Sequence, residues 1–117
     1  MKKEPHPQLV KLAEQARQVV ESEMLFTDPL INRKKLAHRL STNEKYLADA
    51  IRFCEGLTIN DFINRLRIEH ARRLIEKDQE IKVTTAALAS GINTRTTLFR
   101  LSRKYYNMSP TEFRKLT

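Results

Sequence analysis

The chain has 117 residues, with 22 Lys+Arg against 14 Asp+Glu and a formal net charge of +8, a length that suits one compact domain or two very small ones. Its longest stretch without a charged side chain, Val83 to Thr94, is far short of the roughly 20 apolar residues of a membrane-spanning helix. Met1-Lys2-Lys3-Glu4-Pro5-His6-Pro7 leads into a charged segment, not the apolar one of a signal peptide, and a single cysteine, Cys54, excludes an internal disulfide and any multi-cysteine zinc site. Leu, Ile, Val and Phe make up 31 residues, above the roughly 20% below which a charged chain stays disordered. The expectation is a folded, cytoplasmic protein with no membrane contact by this segment.

Only two glycines and four prolines interrupt the chain, and strand patterning is scarce, which points to an all-α fold of about seven helices. Leu9, Leu12, Ala13, Ala16, Val19, Val20 and Met24 form one face of a first helix over 8–24, and Thr27-Asp28-Pro29 ends it. Asn32 is a suitable N-cap for a short helix to about Leu40. After the turn Ser41-Thr42-Asn43, a helix reaches Glu55 with Leu47, Ala50, Ile51 and Cys54 on one side, and Gly56 supplies its left-handed end. Thr58 with Asp61 approximates a capping box for the longest helix, which runs to about Lys77. A short helix follows near Thr84 to Ser90, then Gly91, then a helix over about 94–106. Ser109-Pro110-Thr111-Glu112 starts a last short helix, to about Lys115.

One unit occurs twice. Ala37-x-x-x-Ser41 and Ala87-x-x-x-Gly91 are offset by 50, and Leu47/Leu98, Gly56/Asn107, Thr58/Ser109 and Phe62/Phe113 by 51. Asparagine tolerates a left-handed helix end better than other non-glycine residues, so Gly56/Asn107 is a physically sensible match. Each unit is a short helix, a tight turn and a longer helix, with a small residue where the helices approach: a helix-turn-helix. The chain therefore divides into an N-terminal helix or linker segment (1–28), a first helix-turn-helix (29–57), a linker helix (58–80) and a second helix-turn-helix (81–117). Their net charges are −1, +3, 0 and +6. Two basic patches flanking a neutral spacer are what two contacts with a polyanion require.

The segment from about Met24 onward resembles the C-terminal DNA-binding domain of AraC/XylS-family transcription regulators. The resemblance is carried by Leu36-Ala37-His38-Arg39-Leu40, Tyr46-Leu47, the run from Phe62 to Leu74, Ala89-x-Gly91 and Met108-Ser109-Pro110-Thr111-Glu112-Phe113-Arg114. It implies sequence-specific binding to double-stranded DNA by a bacterial regulator, with the long helix as a rigid link and recognition helices at about 43–55 and 94–106 in successive major grooves. A spacer of roughly 30 Å comes close to the 34–36 Å of one DNA turn. The sequence departs from the family's usual residues at Ile92, Leu98, Ser102 and Asn107, and Ser102 puts a hydroxyl at a core position, which predicts looser packing there.

Helical faces and the family motif agree on the reading positions. The first reading helix exposes Asn43, Lys45, Ala48, Asp49 and Arg52, of which Asn43, Lys45, Asp49 and Arg52 are the base-contact candidates; Asp49 can accept from cytosine N4. On the second, Arg95 and Arg100 suit guanine, Thr96 a base or a phosphate, and Phe99 a thymine methyl. Arg33, Lys34, Thr84, Arg103 and Lys104 are candidates for the DNA backbone. Cys54 reads as a buried packing thiol, His6, His38 and His70 as surface residues, and Arg65, Arg67, Arg72 and Arg73 as locally ion-paired with Asp61, Glu69, Glu76 and Asp78. No phosphate loop, catalytic triad, metal site or cofactor signature is recognised, so an enzyme is not expected. The rival reading is a helical protein–protein interaction module that has lost DNA reading, prompted by Ala48, Asp49 and Ser102. The resemblance also implies a sensor or effector domain elsewhere in a longer chain, and RNA polymerase is a candidate partner.

Overall fold

The computed structural model describes residues 7–116. Six α-helices follow one another: α1 (Pro7–Ser22), α2 (Arg33–Arg39), α3 (Glu44–Glu55), α4 (Ile59–Lys77), α5 (Val83–Ala89) and α6 (Arg95–Tyr106), with 3-10 segments at Leu25–Thr27 and Pro110–Leu116. There is no strand among the described residues. The closing helix is thus 3-10 in type: Glu112 N–H bonds the Ser109 carbonyl at 3.0 Å, the i to i+3 pattern, while the Ser109 hydroxyl lies 3.2 Å from the Glu112 carboxylate. The chain forms two compact units, Met1–Leu25 with Leu30–Ile63, and Phe26–Pro29 with Asn64–Thr117.

In the first unit α1 lies along α3 and buries Leu12, Ala13, Ala16 and Val20. The Arg17 guanidinium makes two bonds to the Glu55 carboxylate, Nε to Oε2 at 3.0 Å and Nη2 to Oε1 at 2.8 Å. This holds Arg17 above its ordinary pKa through those hydrogen bonds. Leu47, Ala50 and Ile51 of α3 are buried, but Cys54 is exposed. It has the right helical phase for the core, yet it sits in the last turn before Gly56.

The second unit is built on α4, whose Ile68, Ala71 and Ile75 pack with Ala86, Ala87, Ile92, Leu98, Leu101 and Phe113. Two expectations fail here for one reason, the segment 26–29. Arg67 is not ion-paired along its helix; it donates to the Phe26 carbonyl at 2.7 Å, the Asp28 carbonyl at 2.9 Å and Asn64 Oδ1 at 3.1 Å. His70 is not a surface residue; it is half-buried, meets Phe26 edge-on and lies 2.8 Å from the Ser90 hydroxyl. That hydroxyl donates to the Ala86 carbonyl, so it accepts from His70 Nδ1–H. Arg65–Glu69 and Arg72–Glu76 are local pairs as expected, at 4.0 and 3.1 Å, and Arg72 also lies over the Tyr106 ring, 4.4 Å from its centroid. His38 is exposed, and His6 lies outside the described residues.

Ser102 is fully buried, and its hydroxyl donates to the Met108 carbonyl at 2.5 Å. A small polar side chain is accommodated because the turn after α6 offers it an acceptor. Ile92 and Leu98 are buried, as their apolar character predicts.

Candidate nucleic-acid interface

The two α-turn-α elements are built alike at the level of single hydrogen bonds. After α2, Ser41 takes a left-handed φ of 56°, Thr42 N–H bonds the Ala37 carbonyl at 3.0 Å, and Ser41 N–H bonds the His38 carbonyl at 3.1 Å. After α5, Gly91 has φ 86°, with Ile92 N–H on the Ala87 carbonyl at 2.8 Å and Gly91 N–H on the Leu88 carbonyl at 3.2 Å. Both are Schellman endings, in which a left-handed residue lets the last carbonyls be satisfied as the chain reverses. At Gly91 the freedom is needed twice, since an added Cβ would stand 2.4 Å from the Phe26 carbonyl oxygen.

The longer helices are also capped alike. Asn43 Oδ1 accepts from Tyr46 N–H at 2.7 Å to start α3, and Thr94 Oγ1 accepts from Thr97 N–H at 3.1 Å to start α6. Gly56 and Asn107 end them in the left-handed region, at φ 70° and 52°.

Charge is distributed unequally between the two. On α3, Lys45 and Asp49 face solvent and pair with each other at 3.3 Å, and Arg33 of α2 pairs with Glu44 at 3.1 Å. Arg52 is exposed and lines one cavity with Arg33 and Ala48, while Lys34 lines another with Asn43. On α6, Thr96, Arg100 and Arg103 are exposed, and Arg95, Arg100 and Arg103 have no carboxylate partner among the described residues. Thr84 of α5 is half-buried beside Arg95. Arg103 and Lys104 occupy the last turn of α6, where a cation also suits the helix dipole. The first turn of α6 contains no acidic residue, in contrast to Glu44 on α3, so its partial positive end is left uncompensated.

Phe99 differs from its sequence reading in one respect. It is half-buried and packed on the core of the second unit, and Arg95 lies over its ring, 4.7 Å from the centroid. Lys45–Asp49 and Arg95–Phe99 are both i,i+4 pairs; that spacing was the available signal for each. Lys35 is a further exposed cation beside Lys34 in the α2 cavity.

Comparison with known proteins places this arrangement. The helix-turn-helix domain family of the AraC type matches residues 36–116, well over half of the chain. The chain belongs to the AraC/XylS family. A related bacterial sequence, the uncharacterized HTH-type transcriptional regulator YijO of Escherichia coli K12, is 29% identical over 85 residues, which are 73% of this chain and 30% of the relative. The melibiose operon regulatory protein of the same organism is 27% identical over 90 residues, 77% of this chain and 30% of the relative. The chain thus spans about 30% of the length of the curated relatives it matches. Among solved structures, the C-terminal domain of AraT, a response regulator from Geobacillus stearothermophilus, superposes with a TM-score of 0.81 at 21% identity, covering 93% of this chain and 88% of that one. The C-terminal domain of the two-component response regulator yesN from Fusobacterium nucleatum gives 0.74 at 23% identity, covering 86% and 95%. At such identity these show the fold alone. The AraC/XylS family is one of DNA-binding transcription regulators, not an enzyme class.

Proposed function

We propose that this chain reads a specific double-stranded DNA site with α3 and α6, each entering one of two successive major grooves. Asn43, Lys45, Asp49 and Arg52 contact bases from α3, and Arg95, Thr96, Phe99 and Arg100 from α6; Arg33, Lys34, Thr84, Arg103 and Lys104 contact the DNA backbone. The observation that carries this reading is the solvent face of α6. Its Arg95, Arg100 and Arg103 have no carboxylate partner among the described residues, and the first turn of α6 contains no acidic residue, the electrostatic state that an incoming polyanion would complete. The first unit, with Lys45 and Arg33 already engaged by Asp49 and Glu44, is the weaker reader.

The share of its relatives' length that the chain spans supports a sensory or effector region elsewhere in a longer chain; a cytoplasmic location and RNA polymerase as a partner complete the proposal. Selection from a random duplex pool, followed by footprinting, tests the DNA reading. The expected footprint is asymmetric and about two helical turns long, and Arg95→Ala with Arg100→Ala should lower site preference by roughly 1–3 kcal/mol for each guanine read. Unchanged preference would refute base reading by α6. A palindromic footprint would refute the single-chain geometry, and absence of salt-dependent DNA binding would leave the protein-interaction reading.

A further inference from the structure

A side chain that must reach into a groove can be held in place in two ways, and both occur in this chain. In the first unit two candidate cations are held by carboxylates, Arg33 by Glu44 and Lys45 by Asp49. Such a partner occupies N–H donors and cancels the charge that DNA would attract. In the second unit Arg95 is held by an uncharged ring, with its guanidinium 4.7 Å from the Phe99 centroid. The ring attracts the cation through its quadrupole but takes none of the five guanidinium N–H donors and none of the charge.

The platform is itself fixed. Phe99 packs on the core cluster that contains Ile75 and Leu98. The backbone under Arg95 is fixed as well, since Arg95 is the first residue of α6 and Thr94 caps that helix through Thr97 N–H at 3.1 Å. An arginine ordered before binding loses less rotamer freedom on binding, and its planar donor fork suits the two acceptors of guanine.

We infer that Phe99 is a positioning residue for base reading: its ring orders Arg95 while leaving it fully charged, so that the two act as one guanine-reading unit. This inference rests on the proposal that α6 reads bases, and it assigns the Phe99 ring face to Arg95 and only its edge to DNA.

The test uses the 117-residue chain and the duplex selected by it, with affinities measured for every single-base variant. Arg95→Ala identifies the guanine that Arg95 reads. Phe99→Leu, which keeps an apolar side chain on the core, is expected to lower discrimination at that guanine about two- to tenfold, whatever it changes at a thymine met by the ring edge. Phe99→Tyr, which keeps the ring, retains discrimination at that guanine, and in the Arg95→Ala background Phe99→Leu has no further effect there. Full discrimination by Phe99→Leu overturns the inference. So does a loss confined to a thymine position with discrimination at the guanine intact, because the ring would then serve DNA contact alone and not Arg95. If Arg95→Ala leaves every base preference intact, base reading by Arg95 fails and the inference falls with it; the single substitution separates that result from failure of the pairing alone. Melting curves of the Leu and Tyr variants confirm that both are folded at the assay temperature.

Discussion

Gly91 and Gly56 have nearly the same backbone conformation, φ 86° and 70°, but opposite surroundings. An added Cβ at Gly56 has nothing within 4 Å, whereas at Gly91 it meets the Phe26 and Thr27 carbonyl oxygens at 2.4 and 3.0 Å. Gly56→Ala should cost only the left-handed strain, about 1–2 kcal/mol, and Gly91→Ala that strain plus displacement of the 26–29 segment. Urea unfolding of the two variants checks the order; equal losses would mean that the segment yields freely. His70 belongs to the same cluster. Burial, and secondarily the Arg73 charge, holds its pKa below the ordinary 6.5. In the window just below pH 6.5 the unfolded chain therefore binds a proton that the folded chain does not, so stability is full above that pH and is lost as pH falls towards the depressed value. His70→Gln should flatten the stability slope just below pH 6.5; an unchanged slope would assign the acid sensitivity to other groups.

At the scale of elements, what was legible in the sequence was local. The caps Asn32 and Thr58 and the left-handed ends at Gly56 and Asn107 stand where the chain order puts them, because a cap is decided within about four residues of itself. The partner of α1 was not legible, since amphipathic spacing states that a face is buried and not against what; α3 supplies it. The last helix was readable as a helix but not as 3-10, since a capping box fits either. Capping makes a prediction specific to α6: Thr94→Ala removes the acceptor for Thr97 N–H and should cost about 1 kcal/mol. Amide hydrogen exchange in the first turn of α6 should rise more than in α3; uniform change across both helices would deny Thr94 a local role.

For the molecule as a whole, the charge partition predicts how binding responds to salt. Each phosphate neutralised contributes about 0.9 to the slope of log K against log salt. Arg103→Ala and Lys104→Ala should each weaken cognate and random duplexes alike and reduce that slope by about 1, whereas Arg95→Ala should act mainly on the cognate site. A slope unmoved by Arg103→Ala and Lys104→Ala would remove both from the DNA backbone contacts.

The sequence by itself determined the all-helical class, the repeated helix-turn-helix and the concentration of positive charge in each copy, because periodicity, capping and net charge are properties of short windows. Only the tertiary structure decided which cations are free. Arg33 looked as available as Arg95 in one dimension, yet Glu44 on the neighbouring helix engages it, whereas the Lys45–Asp49 and Arg95–Phe99 contacts have an i,i+4 spacing already visible in the sequence. Likewise Arg67 read as locally ion-paired and His70 as a surface residue, and the segment at Phe26 engages both instead. A charge pattern counts ions; their availability depends on where opposing and apolar groups come to rest in space.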